Sequence, residues 1–234
     1  MALPPSRPRP PFLWQERKAI VPPPIHQRII LSLFDQSGSW SMPYLLAGYN
    51  VIRVDLALGR DALTYSPPVR PWGVLAAPPC TVWTNANAHS WHKIPDAQFF
   101  ESFALVMRSI ELARSAESWW CLENPRGRLA HVIGPHQLEI QPWHYGAQHS
   151  KRTCLWGNFT PPARTPRIPL GSLVGGHNTG RPAPLFEAGR TPTTLNLPMP
   201  KDFRRADPSW MDARRRLRSF TPPEFAHAFF RANP

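Results

Sequence analysis

Short apolar runs alternate with turn-forming and helical segments along the first half of the chain. The run IILSLF (29–34) leads into DQSGSW, and further apolar runs occupy 51–56, 74–77 and 119–123. A short apolar run bounded by glycine, proline or asparagine is typical of a strand buried on both faces. Residues 41–48 and 99–116 lie between these runs and favour helices. The pattern therefore predicts an α/β fold, a mostly parallel sheet with helices on both faces.

Polar residues follow each predicted strand. Residues 35–39 come after the first, Asp55 ends the second, Cys80 follows the third after a Pro-Pro stop, and Glu123 and Asn124 end the fourth. Because ligands bind at the carboxyl ends of parallel strands, these residues predict one site built from four loops. A cysteine on such a loop is a candidate nucleophile, although a lone cysteine is more often structural. The neighbouring carboxylate favours the catalytic interpretation.

The 31 prolines divide the chain into ordered pieces and loops. We predict a Pro-rich basic arm at 1–28, a catalytic and cofactor-binding domain at 29–156, a small irregular recognition region at 157–218, and a C-terminal helix within 219–234 that packs back on the catalytic domain. In the last segment, Thr221 is the expected N-cap, Glu224 occupies the capping-box position, and Phe225, Ala228 and Phe229 share one face.

The charge balance points to a polyanionic partner. The formal net charge is +12 and the pI is about 10.8, with only 18% charged residues, so the excess comes from a shortage of acids. Region 157–218 alone carries eleven basic and four acidic residues. This balance favours nucleic acid as partner, although Arg-rich and Pro-rich chains can also be basic for no specific reason.

The three cysteines, Cys80, Cys121 and Cys154, have no CxxC spacing and no histidine pair at zinc-finger distance. Neither a metal site nor a disulfide framework is therefore predicted. The start of the chain lacks the apolar core of a signal peptide, and no apolar run is long enough to span a membrane. We expect a soluble, cytoplasmic protein, a monomer, with no membrane partner.

Several segments, in order along the chain, resemble motifs of the cytosine-5 DNA methyltransferases, particularly their compact phage-encoded branch. LFDQSGSW is similar to the cofactor loop, VDL to the acidic strand end that holds the ribose, and AAPPCTVW to the Pro-Cys nucleophile loop. CLENPRGRL is similar to the Glu-Asn-(Val or Pro) motif, QPWHYGAQHSKRTCLWGNF to the Tyr-Gly…Arg motif, and RSFTPPEFAHAF to the segment after it. The chain departs from the family at Gln36, which replaces a glycine, and it lacks a C-terminal Gly-Asn-x-Val motif.

The resemblance implies a class I S-adenosylmethionine-dependent methyltransferase-like fold, S-adenosylmethionine as cofactor and double-stranded DNA as substrate. Cys80 would add to C6 of a flipped cytosine, a protonated Glu123 would donate toward N3, and Arg152 would hold the base oxygen or a phosphate. The implied cofactor contacts are Phe34, Gly38, Ser39, Trp40, Asp55, Asp61 and Pro78. The implied DNA contacts are Thr84, Arg126, Lys151, Arg204, Arg205, Arg214, Arg215 and Arg216.

Some alternatives stay open. Asp61 is equally well interpreted as capping a turn, and residues 83–92 could form a loop that closes on DNA. The chemistry also fits another one-carbon transfer to C5 of a pyrimidine nucleotide, but such an enzyme has no use for a basic recognition region. A catalytically idle DNA-binding relative is a third possibility, against which the presence of both Cys80 and Glu123 argues.

Overall fold

The structure is a computed structural model that describes residues 22–147, 151–164 and 220–234. Its strands and α-helices follow in chain order. They are β1 Ile29–Leu33, α1 Met42–Leu46, β2 Asn50–Val54, β3 Gly73–Ala76, α2 Asp96–Arg114, β4 Trp119–Pro125, α3 Leu129–Ile133, β5 Leu138–Ile140, β6 Thr153–Asn158 and α4 Pro223–Ala232. Short 3-10 helices occupy Ile25–Gln27, Leu56–Leu58, Asn85–Lys93 and Pro142–Tyr145.

The strands form one six-stranded sheet in the order β2-β1-β3-β4-β6-β5. Strand β1 pairs in parallel with β2 and β3, and β3 pairs in parallel with β4. Strand β6 is antiparallel to both of its neighbours, β4 and β5. The predicted α/β character is thus confirmed, but the sheet is mixed. The apolar pattern of a buried strand does not encode its direction, so the reversal of β6 was not predicted.

Successive strand residues point to opposite sides of the sheet. Because consecutive residues of these strands are apolar, both faces are apolar and helices cover both. Ile30 and Leu75 face one side, where α1 and α4 supply the aromatic residues Tyr44, Phe225 and Phe229. Leu31 and Val74 face the other side. There the apolar residues of α2 and α3 are Val106, Leu112, Ala113 and Leu129.

The C-terminal helix α4 packs against the first of these faces. Phe225, Ala228 and Phe229 are buried, as the sequence predicts. The expected cap was wrong, since the N-cap is Pro222 and Thr221 lies one residue earlier. Proline fixes its own φ in the range that a helix start needs, so the turn forms without a side-chain cap. The backbone N–H of Thr221 instead donates to Oγ of Ser39, at 3.1 Å.

The predicted recognition region, 157–218, lies only in small part within the described residues. Strand β6 extends to Asn158, two residues into the region predicted as a separate recognition segment. The greater part of that region, including Arg204, Arg205 and the run 214–216, lies outside the described residues. In the part of the chain that the structure describes, no helix has the length and apolar character needed to cross a membrane.

Candidate active site

The strand order of the sheet reverses between β1 and β3, the point at whose carboxyl ends open α/β sheets bind ligands. From β1 the chain first adds β2 on one side and later β3 on the other side. In open α/β sheets, the loops that follow such a pair of strands diverge and leave room for a ligand. Here those loops are residues 34–41 and 77–84, the same two segments in which the sequence predicts the cofactor and the nucleophile.

The loop after β1 has a strained and tightly fitted backbone. Phe34 has a φ of +59°, the one positive φ of a non-glycine residue in the described chain. Such a conformation costs about 1–3 kcal/mol and is enriched at functional sites. Gly38 has a φ of +71°, and a Cβ there would lie 2.8 Å from Nη1 of Arg53. That guanidinium in turn donates to the carbonyl of Gln36, at 3.2 Å.

The buried side chain of Asp35 holds the loop after β1 in place. Oδ2 of Asp35 accepts hydrogen bonds from the hydroxyls of Ser32 and Ser41, at 2.8 and 2.7 Å, and from the backbone N–H of Ser41, at 3.2 Å. These bonds join β1, the loop and the start of α1. Asp35 therefore holds the loop in shape, a role that the sequence did not reveal.

The two predicted cofactor aspartates both cap turns. Oδ1 of Asp55 accepts from the backbone N–H of Ala57, at 2.9 Å, and Oδ1 of Asp61 accepts from that of Leu63, at the same distance. The turn-capping interpretation of Asp61 is therefore what the structure shows. For Asp55, Oδ2 has no hydrogen-bond partner among the described residues, so one carboxylate oxygen at the end of β2 can accept from a ligand.

Cys80 lies on a short turn that its own carbonyl organises. The backbone N–H groups of Trp83 and Thr84 both donate to the Cys80 carbonyl, at 2.9 Å. The Trp83 side chain is fully buried under the turn. Thr84 is also buried, and its hydroxyl accepts from the N–H of Ala86 at the start of the 3-10 helix Asn85–Lys93. Residues 83–92, which could have formed a loop that closes on DNA, are thus largely helical. Thr84 joins this helix to the turn that contains Cys80, which we call the nucleophile turn.

The Cys80 turn is fastened to the end of β4. Nδ2 of Asn124 donates to the carbonyl of Pro78, at 2.9 Å, and Thr84 forms an isolated β-bridge with Gly127. Arg128 donates from its backbone N–H to the carbonyl of Trp83 and from Nε to that of Val82, both at 2.9 Å. A Cβ on Gly127 would lie 1.8 Å from the carbonyl oxygen of Trp83, so only glycine permits this approach.

Accessibility separates Cys80 from the other two cysteines. Cys80 is partly exposed, whereas Cys121 and Cys154 are buried. Burial raises the pKa of the Cys121 thiol well above its usual range, and burial, with the carboxylate of Glu139 nearby, raises the pKa of Cys154 to about 11. Because the thiolate is the reactive species and needs access to its substrate, Cys80 is the candidate nucleophile of the three.

The charged residues around the end of β4 form two ion-paired groups. Nζ of Lys151 lies 3.5 Å from Oε1 of Glu123, and both side chains are largely buried. Arg152, predicted to hold the base oxygen or a phosphate, contacts Glu139: its Nη2 and Nε lie 2.8 and 2.9 Å from Oε1. Arg126 also reaches Glu139, at 3.4 Å. The cation beside Glu123 is therefore a lysine, and the carboxyl expected to be protonated forms an ion pair.

A cavity of about 190 Å³ lies between the nucleophile turn and the first half of α2. Pro79, Thr81 and Val82 form one wall, and residues of α2 form the other, namely Gln98, Glu101, Ser102 and Leu105. The hydroxyl of Ser102 is buried and has no hydrogen-bond partner among the described residues. Of the seven lining residues, three are apolar and four are polar, and the cavity is open to solvent on one side.

Trp40, a predicted cofactor contact, is buried in the core. Its ring centroid lies 5.8 Å from that of Phe229 and 6.4 Å from that of Phe225, so it packs under α4. Its indole Nε1 has no hydrogen-bond partner among the described residues. Pro78 lies directly before the nucleophile turn and is tied to Asn124 by its carbonyl.

No protein-family model matches the chain, and no curated protein matches it in sequence. The chemistry of the site is therefore the basis for assigning a function.

Proposed function

We propose that this protein is a DNA methyltransferase of the class I type that transfers a methyl group from S-adenosylmethionine to C5 of cytosine. One observation carries the proposal: the accessible Cys80 lies on a turn that Asn124 and Gly127 fasten to the strand end bearing Glu123. A nucleophile and an acid that must act on the same small ring need such a fixed relation, because small misplacements cost much of the rate.

Cys80 would supply the covalent step. Cytosine is a poor nucleophile at C5, and addition of the Cys80 thiolate to C6 makes C5 electron-rich. C5 then takes the methyl group from the sulfonium of S-adenosylmethionine, which leaves as the neutral thioether. Loss of the C5 proton to solvent, departure of the thiolate and release of the N3 proton through Glu123 restore the aromatic ring and the enzyme.

Glu123 and Lys151 would stabilise the negative charge that develops on the base. When the base enters, Glu123 takes up a proton from solvent, and this proton moves toward N3 as the thiolate adds to C6. The carboxylate that remains is stabilised by the ammonium group of Lys151, which already lies 3.5 Å from it. Arg152, with half of its side chain exposed, would then contact a DNA phosphate, as would Arg126.

The residues around the crevice fit the cofactor. When bound, S-adenosylmethionine supplies the electrophilic methyl group. The loop after β1, with Phe34, Gly38 and Ser39, would wrap its amino-acid end, and Oδ2 of Asp55 would accept from a ribose hydroxyl. The cavity beside Pro79 would hold the adenine ring, where the buried hydroxyl of Ser102 would find a hydrogen-bond partner.

DNA is the substrate that the charge favours. A net charge of +12 attracts the phosphate backbone, and most of the basic excess lies in 157–218. The target carbon is inside the duplex, so the base must be flipped out at a cost of a few kcal/mol. Phosphate contacts, among them Arg126 and Arg152, would offset that cost.

Labelled-methyl transfer tests the proposal. The purified full chain is incubated with duplex DNA and S-adenosylmethionine labelled in its methyl group, and the DNA is digested to nucleosides. We expect the label in 5-methylcytosine, and none with Cys80→Ala, although that variant should still bind S-adenosylmethionine. Three results would overturn the proposal: label in another nucleoside, label in free nucleotides alone, or no incorporation of label.

A further inference from the structure

The sheet edge formed by β5 and β6 brings together three side chains of metal-ligating type. Glu139 and Cys154 are direct partners in the antiparallel ladder, so their side chains lie on the same face. His136 comes just before β5. One ligand atom from each of these three residues lies within 4.8 Å of the others. In sequence they are separated by spacings that match no metal-binding motif.

The nitrogen and sulfur donors have few competing interactions. Nδ1 of His136 is buried and has no hydrogen-bond partner among the described residues. The ring packs edge-on against Trp156, with centroids 5.7 Å apart, which limits its rotation. Cys154 is buried in the same cluster. We take Nδ1 as the ligand atom of His136, because a buried imidazole nitrogen without a partner is costly and a metal ion would satisfy it.

Glu139 keeps coordinating capacity despite its two arginine partners. Both bonds from Arg152 go to Oε1, at 2.8 and 2.9 Å, whereas Oε2 has a single long contact with Arg126, at 3.4 Å. An ionised carboxylate offers about four lone-pair sites, so Oε2 can still bind a cation. The two arginines are about half exposed, and solvent therefore screens their repulsion of that cation.

We propose that His136, Glu139 and Cys154 form a Zn²⁺ site at the β5–β6 edge, with water as the fourth ligand. A set of imidazole nitrogen, thiolate sulfur and carboxylate oxygen suits this borderline-soft ion and disfavours Mg²⁺ and Ca²⁺, which take oxygen ligands. The ion would link β5 to β6 and to the segment before β5. The site is separate from Cys80 and does not depend on the proposed methyl transfer.

Cobalt titration of the metal-free full chain tests the inference. Co²⁺ replaces Zn²⁺ in such sites, and its bond to a thiolate gives a charge-transfer absorption band in the near ultraviolet. We expect one equivalent of Co²⁺ to produce the band and Zn²⁺ to abolish it. Cys154→Ser should lose the band, whereas Cys80→Ser, which removes the accessible thiol, should keep it. His131→Ala is the matched histidine control, since His131 is exposed and outside the cluster.

Two results would overturn the inference. One is a wild-type protein that gives no thiolate band with millimolar Co²⁺ at pH 8, and the other is a band that disappears with Cys80→Ser and survives Cys154→Ser. If Cys154→Ser does not fold, as judged by circular dichroism, His136→Ala and Glu139→Gln decide instead. Each should weaken Co²⁺ binding about tenfold or more, and unchanged binding in both would equally reject the site.

Discussion

Lys151 and Arg152 are adjacent in the chain yet bind different carboxylates. Lys151 pairs with Glu123 and Arg152 with Glu139. The two residues directly precede β6, where neighbouring side chains project to different sides, so a shift of one residue moves a cation from one site to another. The motif resemblance could locate this basic segment but could not decide which residue faces the acid.

The residue-scale prediction follows from this pairing. Lys151→Gln should lower kcat for methyl transfer by on the order of tenfold to a hundredfold, because Glu123 loses the cation that stabilises its carboxylate. Lys151→Arg should recover most of the rate. Arg152→Gln should instead raise KM for DNA with little change in kcat. Steady-state kinetics on the three variants would reject the assignment if the kcat loss belonged to Arg152→Gln.

At the scale of secondary-structure elements, the sequence predicts the first four strands and α2 with boundaries that differ by at most three residues. These elements have continuous short apolar runs or clear helical spacing between strong stop signals. Strands β5 and β6 and helix α3 were not predicted. β5 and α3 have only three and five residues, and β6 lies within a stretch interpreted as a motif, with the turn signals Gly157-Asn158 and 161–162 only at its end. Pairing with β4 and burial therefore determine β6 more than its local sequence does.

The junction between the nucleophile turn and β4 gives the first element-scale prediction. Gly127→Ala would force a Cβ against the Trp83 carbonyl, so the turn must shift and kcat should fall on the order of a hundredfold. Gly48→Ala is the control: Gly48 has a φ of +87° but no atom within 4 Å of a Cβ, so only a backbone cost of about 1–2 kcal/mol is expected. Equal activity in the two variants would show that the junction does not position Cys80.

The packing of α4 gives the second element-scale prediction. Phe229 is fully buried and contacts Trp40, Trp119 and Phe159. Phe229→Ala should therefore lower the free energy of unfolding by about 3–5 kcal/mol, measured by urea denaturation. Phe100→Ala is the matched control, because Phe100 is 64% exposed and should cost about 1 kcal/mol or less. A loss of less than about 1 kcal/mol for Phe229→Ala would mean that α4 is not held as the structure shows.

At the scale of the whole molecule, the positive net charge is the property that connects the chain with its proposed DNA substrate. The proposed nucleophile Cys80 and the proposed acid Glu123 lie in the described α/β body, whereas most of the basic excess lies in 157–218. Composition predicts a polyanionic partner, but it cannot show which arginines touch DNA. Long-range attraction depends on summed charge, while recognition depends on position.

Salt dependence tests the role of the basic region. Replacing Arg214, Arg215 and Arg216 by Gln should weaken DNA binding and flatten the plot of log affinity against log salt by about 0.9 for each phosphate that the protein no longer neutralises. Binding of S-adenosylmethionine should not change. The measurement is fluorescence anisotropy with labelled duplex over a range of salt concentrations.

A second triple variant removes the same charge elsewhere. Arg70, Arg114 and Arg231 are exposed in the described body and lie away from the loops of the crevice. Their replacement by Gln should leave the salt slope nearly unchanged. Equal slopes in the two variants would show that only the total charge matters and that 214–216 does not contact DNA.

Covalent trapping tests the central claim that Cys80 adds to C6 of cytosine. Duplex DNA carrying 5-fluorocytosine is incubated with the protein and S-adenosylmethionine. Fluorine cannot leave C5 as a proton does, so the adduct should accumulate. We predict a protein–DNA complex that survives denaturation, a DNA-modified peptide containing Cys80 by mass spectrometry, and no complex with Cys80→Ala. A complex that forms to the same extent in Cys80→Ala, or that maps to another residue, would contradict the account.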